Sequence, residues 1–173
     1  MKICGSLLFF DGEETDERER APVVLFGEKM QAVKITVTST SSDSSEEQAL
    51  EIISFGTLLE KNGKWYARYQ ESELTGLAGT TTTIKWDQER IIVLRSGNVE
   101  HRQEFFPGLN QASLYKTKEL TIPMQTRTQT IAVTALPDGV WQLDINYELL
   151  YGAAESTQRQ LRIRIEEDKR REH

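Results

Sequence analysis

The chain has 173 residues, of which 38% are hydrophobic and 28% charged, with 11 glycines and 4 prolines. That is the size of one domain able to bury a core, and it excludes a collagen-like or wholly disordered chain. A formal net charge of −6 argues against broad nucleic-acid or anionic-membrane binding, and the single Cys4 excludes an internal disulfide framework or a cysteine-rich zinc site.

The first 30 residues differ from the rest. An apolar stretch at 3–10 is broken by Cys4, Gly5 and Ser6 and runs into acidic residues without a small-residue cleavage site, which does not fit a secretory signal. Residues 11–20 (DGEETDERER) form a solvated charge run punctuated by Ala21-Pro22. Residues 23–26 then read either as a docked edge segment or as part of a mobile leader. No later run of about 18 apolar residues could span a bilayer as a helix. The expectation is a soluble, cytoplasmic protein with no membrane or nucleic-acid partner. Its domain should cover residues 31–167, between the leader at 1–30 and a charged, frayed tail at 168–173.

From residue 31 onward the dominant period is two, the signature of strands buried on one face. Val33, Ile35 and Val37 alternate with Lys34, Thr36 and Thr38. A Ser-rich loop is expected over 39–45, and SEEQAL at 45–50 is the one place where a helical turn fits. Strands are then expected at 31–40, 50–60, 64–73, 79–87, 90–96, 98–106 and 112–118. A longer one at 121–136 should be bent or bulged, and 140–151 and 157–167 complete the set. Turn chemistry falls between them: Asn62-Gly63, Asp87-Gln88, Ser96-Gly97-Asn98 and Pro137-Asp138-Gly139. Gly76 to Gly79 reads as a hairpin or bulge instead of a phosphate-cradling loop, because it opens a strand and not a helix. About ten antiparallel strands joined by short turns make an up-and-down meander. Closing it into a barrel removes its exposed edges, so the fold class expected is an all-β barrel.

Several segments then stand together. Gly56 to Glu71 reads G-x-x-x-x-x-x-G-x-W-Y-x-x-Y-x-E, followed by Thr80-Thr81-Thr82-Thr83-Ile84-Lys85 and Val93-Leu94-Arg95-Ser96-Gly97. Tyr115-Lys116-Thr117 and Leu143-Asp144-Ile145-Asn146-Tyr147-Glu148-Leu149 come after. In this order and spacing, residues 31–167 resemble the YwiB-like family of bacterial proteins. The resemblance implies a calycin-like, lipocalin-type barrel and brings no assigned activity with it, since that family carries a domain-of-unknown-function label. One departure is Lys118-Glu119-Leu120, where family members often carry an aromatic-Gly pair.

Strand arithmetic brings a polar group to one rim. Trp65, Ala67, Tyr69 and Glu71 share a face, as do Thr80, Thr82, Ile84 and Trp86, and again Ile91, Val93 and Arg95. In an antiparallel meander Glu71 and Arg95 are separated by one strand, roughly 10 Å at the backbone. One reading is an internal Arg95–Glu71 ion pair that plugs the barrel mouth. The other is that Arg95 receives a carboxylate or phosphate, with Tyr69, Glu71, Thr82, Tyr115 and Thr117 completing a polar pocket. Trp65, Trp86, Trp141, Tyr69, Tyr115 and Tyr147 either line a ligand cavity or fill the core, and filled core is expected for Trp141 and Tyr147. His101 is expected at the surface or the mouth, and His173 ends the tail. No metal-ligand spacing, nucleophile elbow or nucleotide-binding loop occurs, so no metal, cofactor or catalytic group is expected. Arg159, Arg162 and Arg164 read as a mildly basic face with no aromatic platform for RNA. The function expected first is non-enzymatic binding of a small anionic or amphipathic molecule in the barrel mouth. A packed barrel serving as an interaction scaffold is the alternative, as is a weak enzyme with Glu71 as acid or base and Arg95 as oxyanion stabiliser.

Overall fold

The structure is a computed structural model that describes residues 29–43, 46–152 and 155–171. The readings made above for Cys4, the leader to residue 28, the segment at 23–26 and His173 lie outside the described residues. Ten strands form: β1 (Gln31–Asp43), β2 (Glu46–Lys61), β3 (Lys64–Gln70), β4 (Thr80–Trp86) and β5 (Ile91–Gly97). They continue with β6 (His101–Phe105), β7 (Asn110–Lys116), β8 (Thr121–Leu136), β9 (Val140–Tyr151) and β10 (Glu155–Glu167). All pairings are antiparallel, in the order β6-β5-β4-β3-β2-β1-β10-β9-β8-β7. Consecutive strands are therefore neighbours except at one place, and the ring is joined through its first and last strands. The exception is β6 and β7, between which no ladder forms; an isolated backbone bridge, Glu100–Lys116, lies at one end. The result is a nearly closed ten-stranded barrel with its gap in mid-sequence.

Local chemistry explains most of the path. Asn62 and Gly63 both sit at positive φ, 54° and 75°, as the tight turn from β2 to β3 requires. The Asp87 carboxylate accepts from the Glu89 and Arg90 amides at 2.9 and 3.0 Å and so turns β4 into β5. Gly56 lies where β2 curls over β3, and a Cβ there would overlap the Arg68 carbonyl oxygen. The bend expected in the eighth strand is a bulge between Thr128 and Thr130.

Three expectations about local structure are corrected. Residues 39–43 of the serine run do not form a loop: β1 continues to Asp43, with Ser39 opposite Leu161 and Ser41 opposite Arg159. Residues 46–50 make no helical turn, since β2 begins at Glu46 and its register with β1 holds from Leu58 back to Glu46. An unbroken ladder with β1 outweighs a weak local helix preference. The tail does not fray at 168. The Asp168 amide donates to the Ala32 carbonyl at 3.0 Å, its carboxylate holds the Arg170 guanidinium, and that guanidinium lies 3.2 Å over the Phe55 ring.

Inward-facing residues divide the barrel into two halves. One half is apolar: Ile35, Ile84, Ile91, Phe105, Leu143 and Ile165 are fully buried. Burial of each such side chain stabilises the fold by about 1.5–3 kcal/mol. Trp65, Trp86 and Trp141 close that end as a mutually packed trio with ring centroids 5.1–6.4 Å apart. The other half is polar and carries the candidate site. Among the described residues no helix is long and apolar enough to cross a membrane.

Candidate functional site

Register assembles the polar half as two rows on facing walls. On one wall Tyr69 pairs with Thr82, Thr82 with Arg95, and Arg95 with His101, spanning β3 to β6. On the other, Arg159 of β10 pairs with Tyr147 of β9, and Tyr147 with Thr128 of β8. All seven side chains belong to the inward-facing sets of their strands. The rows communicate through Tyr147: its hydroxyl is pushed up by burial, against the opposing pull of Arg159 and then of Arg95. Both guanidinium groups therefore bear on one phenol.

Glu71 stands beside the first row. Its amide donates to the Thr80 carbonyl at 2.9 Å, and its carboxylate accepts from the Thr82 hydroxyl at 2.6 Å. Burial, and then the neighbouring Glu71 charge, raise the Tyr69 phenol, while Arg95 works in the opposite direction. The expected Arg95–Glu71 ion pair does not form, because threonine lies between them and takes the carboxylate. Among the described residues neither Arg95 nor Arg159 enters an ion pair. Among the described residues, four buried side-chain polar atoms of this half have no hydrogen-bond partner: Arg95 Nε, Arg159 Nε, His101 Nδ1 and Thr128 Oγ1. Unsatisfied buried donors are costly and therefore rare in folded proteins. Four in one half of the barrel make that half the candidate site.

Of the surface and the mouth, the two places expected for His101, the surface is excluded: it is 7% exposed, faces inward and lines the opening between β6 and β7. Burial, and secondarily Arg95, hold its imidazole down at about 4, so it is neutral at pH 7. Its Nε2 lies 3.0 Å from the Ser113 hydroxyl of β7, and its ring meets Tyr115 edge-on at 5.4 Å. Thus Tyr69, Glu71, Thr82, Arg95 and Tyr115 come together. Thr117 does not join them, for its hydroxyl accepts from the Glu119 and Leu120 amides and closes the turn between β7 and β8. Arg159 does not share a face with Arg162 and Arg164. Those two point outward, to Asp144 at 2.6 Å and Glu166 at 2.9 Å, while Arg159 shares parity with Leu161, Ile163 and Ile165. Counting back by two from Leu161 finds it in the sequence. No three His, Cys, Asp or Glu side chains among the described residues converge as a metal site.

A cleft of 560 Å³ opens onto this half along the gap between β6 and β7, lined by Arg95, His101, Ser113, Gln111, Leu94 and Leu114 among others. A larger outer cleft of 1070 Å³ beside Phe55 holds charges that are already matched, Lys34 and Arg164 on Glu166 and Arg170 on Asp168.

The family model described as a domain of unknown function, DUF1934, matches residues 35–163. The chain belongs to the DUF1934 family. That match runs from β1 into β10 and contains both arginines of the polar half. Among DUF1934-like relatives, the uncharacterized beta-barrel protein YwiB of Bacillus subtilis (strain 168) is 25% identical over 120 residues, 69% of this chain and 82% of that protein. The crystal structure of the ywiB protein from Bacillus subtilis superposes with a TM-score of 0.73 at 23% identity. It covers 82% of this chain and 96% of that one, and the likeness is one of fold. The resemblance read from the sequence motifs is thereby borne out, as is the barrel.

Proposed function

We propose that this DUF1934 barrel binds a small anionic molecule at its polar end without catalysing its conversion, and that Arg95 and Arg159 receive the anionic group. What carries the reading is the pair of inward guanidinium groups whose Nε atoms are buried without partners. A buried guanidinium Nε–H without an acceptor is unfavourable, and an oxyanion supplies both an acceptor and a matching charge. Tyr147 stands beside Arg159, Thr128 beside Tyr147, and His101 beside Arg95, as further polar groups. Glu71, tied to Thr82, is poorly placed for proton transfer, which weighs against the weak-enzyme reading.

Native mass spectrometry of the full chain purified from its own host tests this directly. The expected result is a non-covalent adduct of a small anion that disappears in the Arg95→Met/Arg159→Met double variant. An adduct-free spectrum, together with a melting temperature that no anion raises, leaves the packed scaffold as the better reading.

A further inference from the structure

We infer that the anion is an organic phosphomonoester that enters sideways, through the gap between β6 and β7, with its phosphate between Arg95 and Arg159 and its organic part in the cleft outside. This deepens the reading above and rests on it. The gap is a defined interruption of the sheet. Glu100 and Lys116 exchange both backbone hydrogen bonds at 2.9 Å, after which a regular ladder would join Arg102 to Leu114 and Glu104 to Ala112. Neither pair forms. The Glu104 amide donates instead to the Gln111 side chain at 2.8 Å, and β7 is held away by β8, where Gly108 and Leu109 bond to Thr128 at 3.0 Å. What remains across the opening is side-chain contact, His101 to Ser113 and Gln103 to Thr126, each 3.0 Å. Side chains can rotate away where a backbone ladder cannot, so this is the part of the wall able to part.

The chemistry of the lining selects the class. Donor-bearing groups reach the lumen from four strands: Arg95 from β5, His101 from β6, Thr128 from β8 and Arg159 from β10. A planar carboxylate is matched by one guanidinium fork, whereas a tetrahedral phosphate directs oxygens toward several walls at once. Two guanidinium groups that enter no ion pair among the described residues also suit a dianion better than a monoanion. Outside, the 560 Å³ cleft adds Leu94, Ala112 and the half-exposed Leu114. That volume admits a small organic group, with these three apolar side chains to receive it in a lining that also carries Glu100, Arg102 and Lys116.

Calorimetric titration of the full chain at pH 7, in buffer free of multivalent anions, uses inorganic phosphate, phenyl phosphate and benzoate as probes. Phenyl phosphate should bind at least about tenfold more tightly than either of the others, the worth of a modest apolar contact. Ala112→Trp, an exposed position in the cleft, should lower the ratio of phenyl phosphate to inorganic phosphate affinity about tenfold, and Leu114→Glu should do the same should the first variant fold poorly. Equal affinities for the two phosphates, or a ratio that neither variant moves, overturns the sideways route while leaving anion binding intact. Benzoate binding as tightly as phenyl phosphate overturns the phosphate assignment alone. Failure of all three probes to bind overturns both this inference and the reading beneath it.

Discussion

Replacing Arg95 by methionine separates a structural plug from a ligand site. In a plug, Arg95 would neutralise Glu71, and its removal would strand a buried carboxylate at a cost of about 3–5 kcal/mol. The observed geometry predicts the opposite sign. Glu71 keeps its hydrogen bond from Thr82 when Arg95 is gone, and the substitution removes a buried Nε–H that has no acceptor. An unsatisfied group of that kind costs about 1–3 kcal/mol, methionine conserves most of the volume, and repulsion between the two guanidinium groups is relieved as well. Stabilisation of about 1–2 kcal/mol is expected, a rise of about 2–8 °C in Tm for a domain of this length. The assay is urea and thermal unfolding in HEPES without multivalent anions, repeated with added phosphate. The parent should gain stability from phosphate by mass action and the variant should not. A variant several kcal/mol less stable than its parent in the anion-free buffer would refute the reasoning and restore the Arg95–Glu71 pair.

The pH dependence of stability should carry the signature of His101. Its folded value of about 4 lies below the ordinary 6.5, so the unfolded chain takes up the proton first and stability falls as pH drops from 6.5 to 4. The full shift, discounted for solvent at the gap, gives about 2 kcal/mol. The difference in urea midpoint between parent and His101→Gln should therefore change across that range, and parallel curves would show that the imidazole is not so held. Gly56→Ala should destabilise by about 3 kcal/mol, because the new methyl group meets the Arg68 carbonyl oxygen, which is backbone and cannot swing aside. A urea midpoint within error of the parent's would mean that β2 does not curl as described.

Period two made the strands legible, because one face of each faces a packed lumen and the other water. The turns were legible for a different reason, since Asn62-Gly63 and Asp87 carry their conformational preference locally. What failed was information held between elements. The serines at 39–43 have weak preferences of their own and become strand through pairing on both sides. Nothing in an alternating pattern says whether consecutive strands bond, so the opening between β6 and β7 was invisible, and with it the burial of His101. Arg159 was legible in principle: its parity with Leu161 placed it inside, yet it was grouped with Arg162 and Arg164 by charge. The Arg95–Glu71 pair was inferred from proximity alone, and the intervening Thr82 hydroxyl, a competing partner at hydrogen-bond distance, decided the matter.

The joining of β1 to β10 has a consequence for how the chain finds its shape. Strands β1 to β6 form one run of adjacent hairpins and β7 to β10 another, and each run is assembled from contacts close in sequence. Only the β1–β10 ladder, from Val33 opposite Glu167 to Ser42 opposite Gln158, joins them across nearly the whole chain. Loop-closure entropy makes such distant pairing the slow event. The molecule is thus built like a clamshell: two curved leaves share the 106–109 connection and lock along the opposite side. The leaves are fastened by main-chain bonds at the lock and by little more than side chains at the opening between β6 and β7.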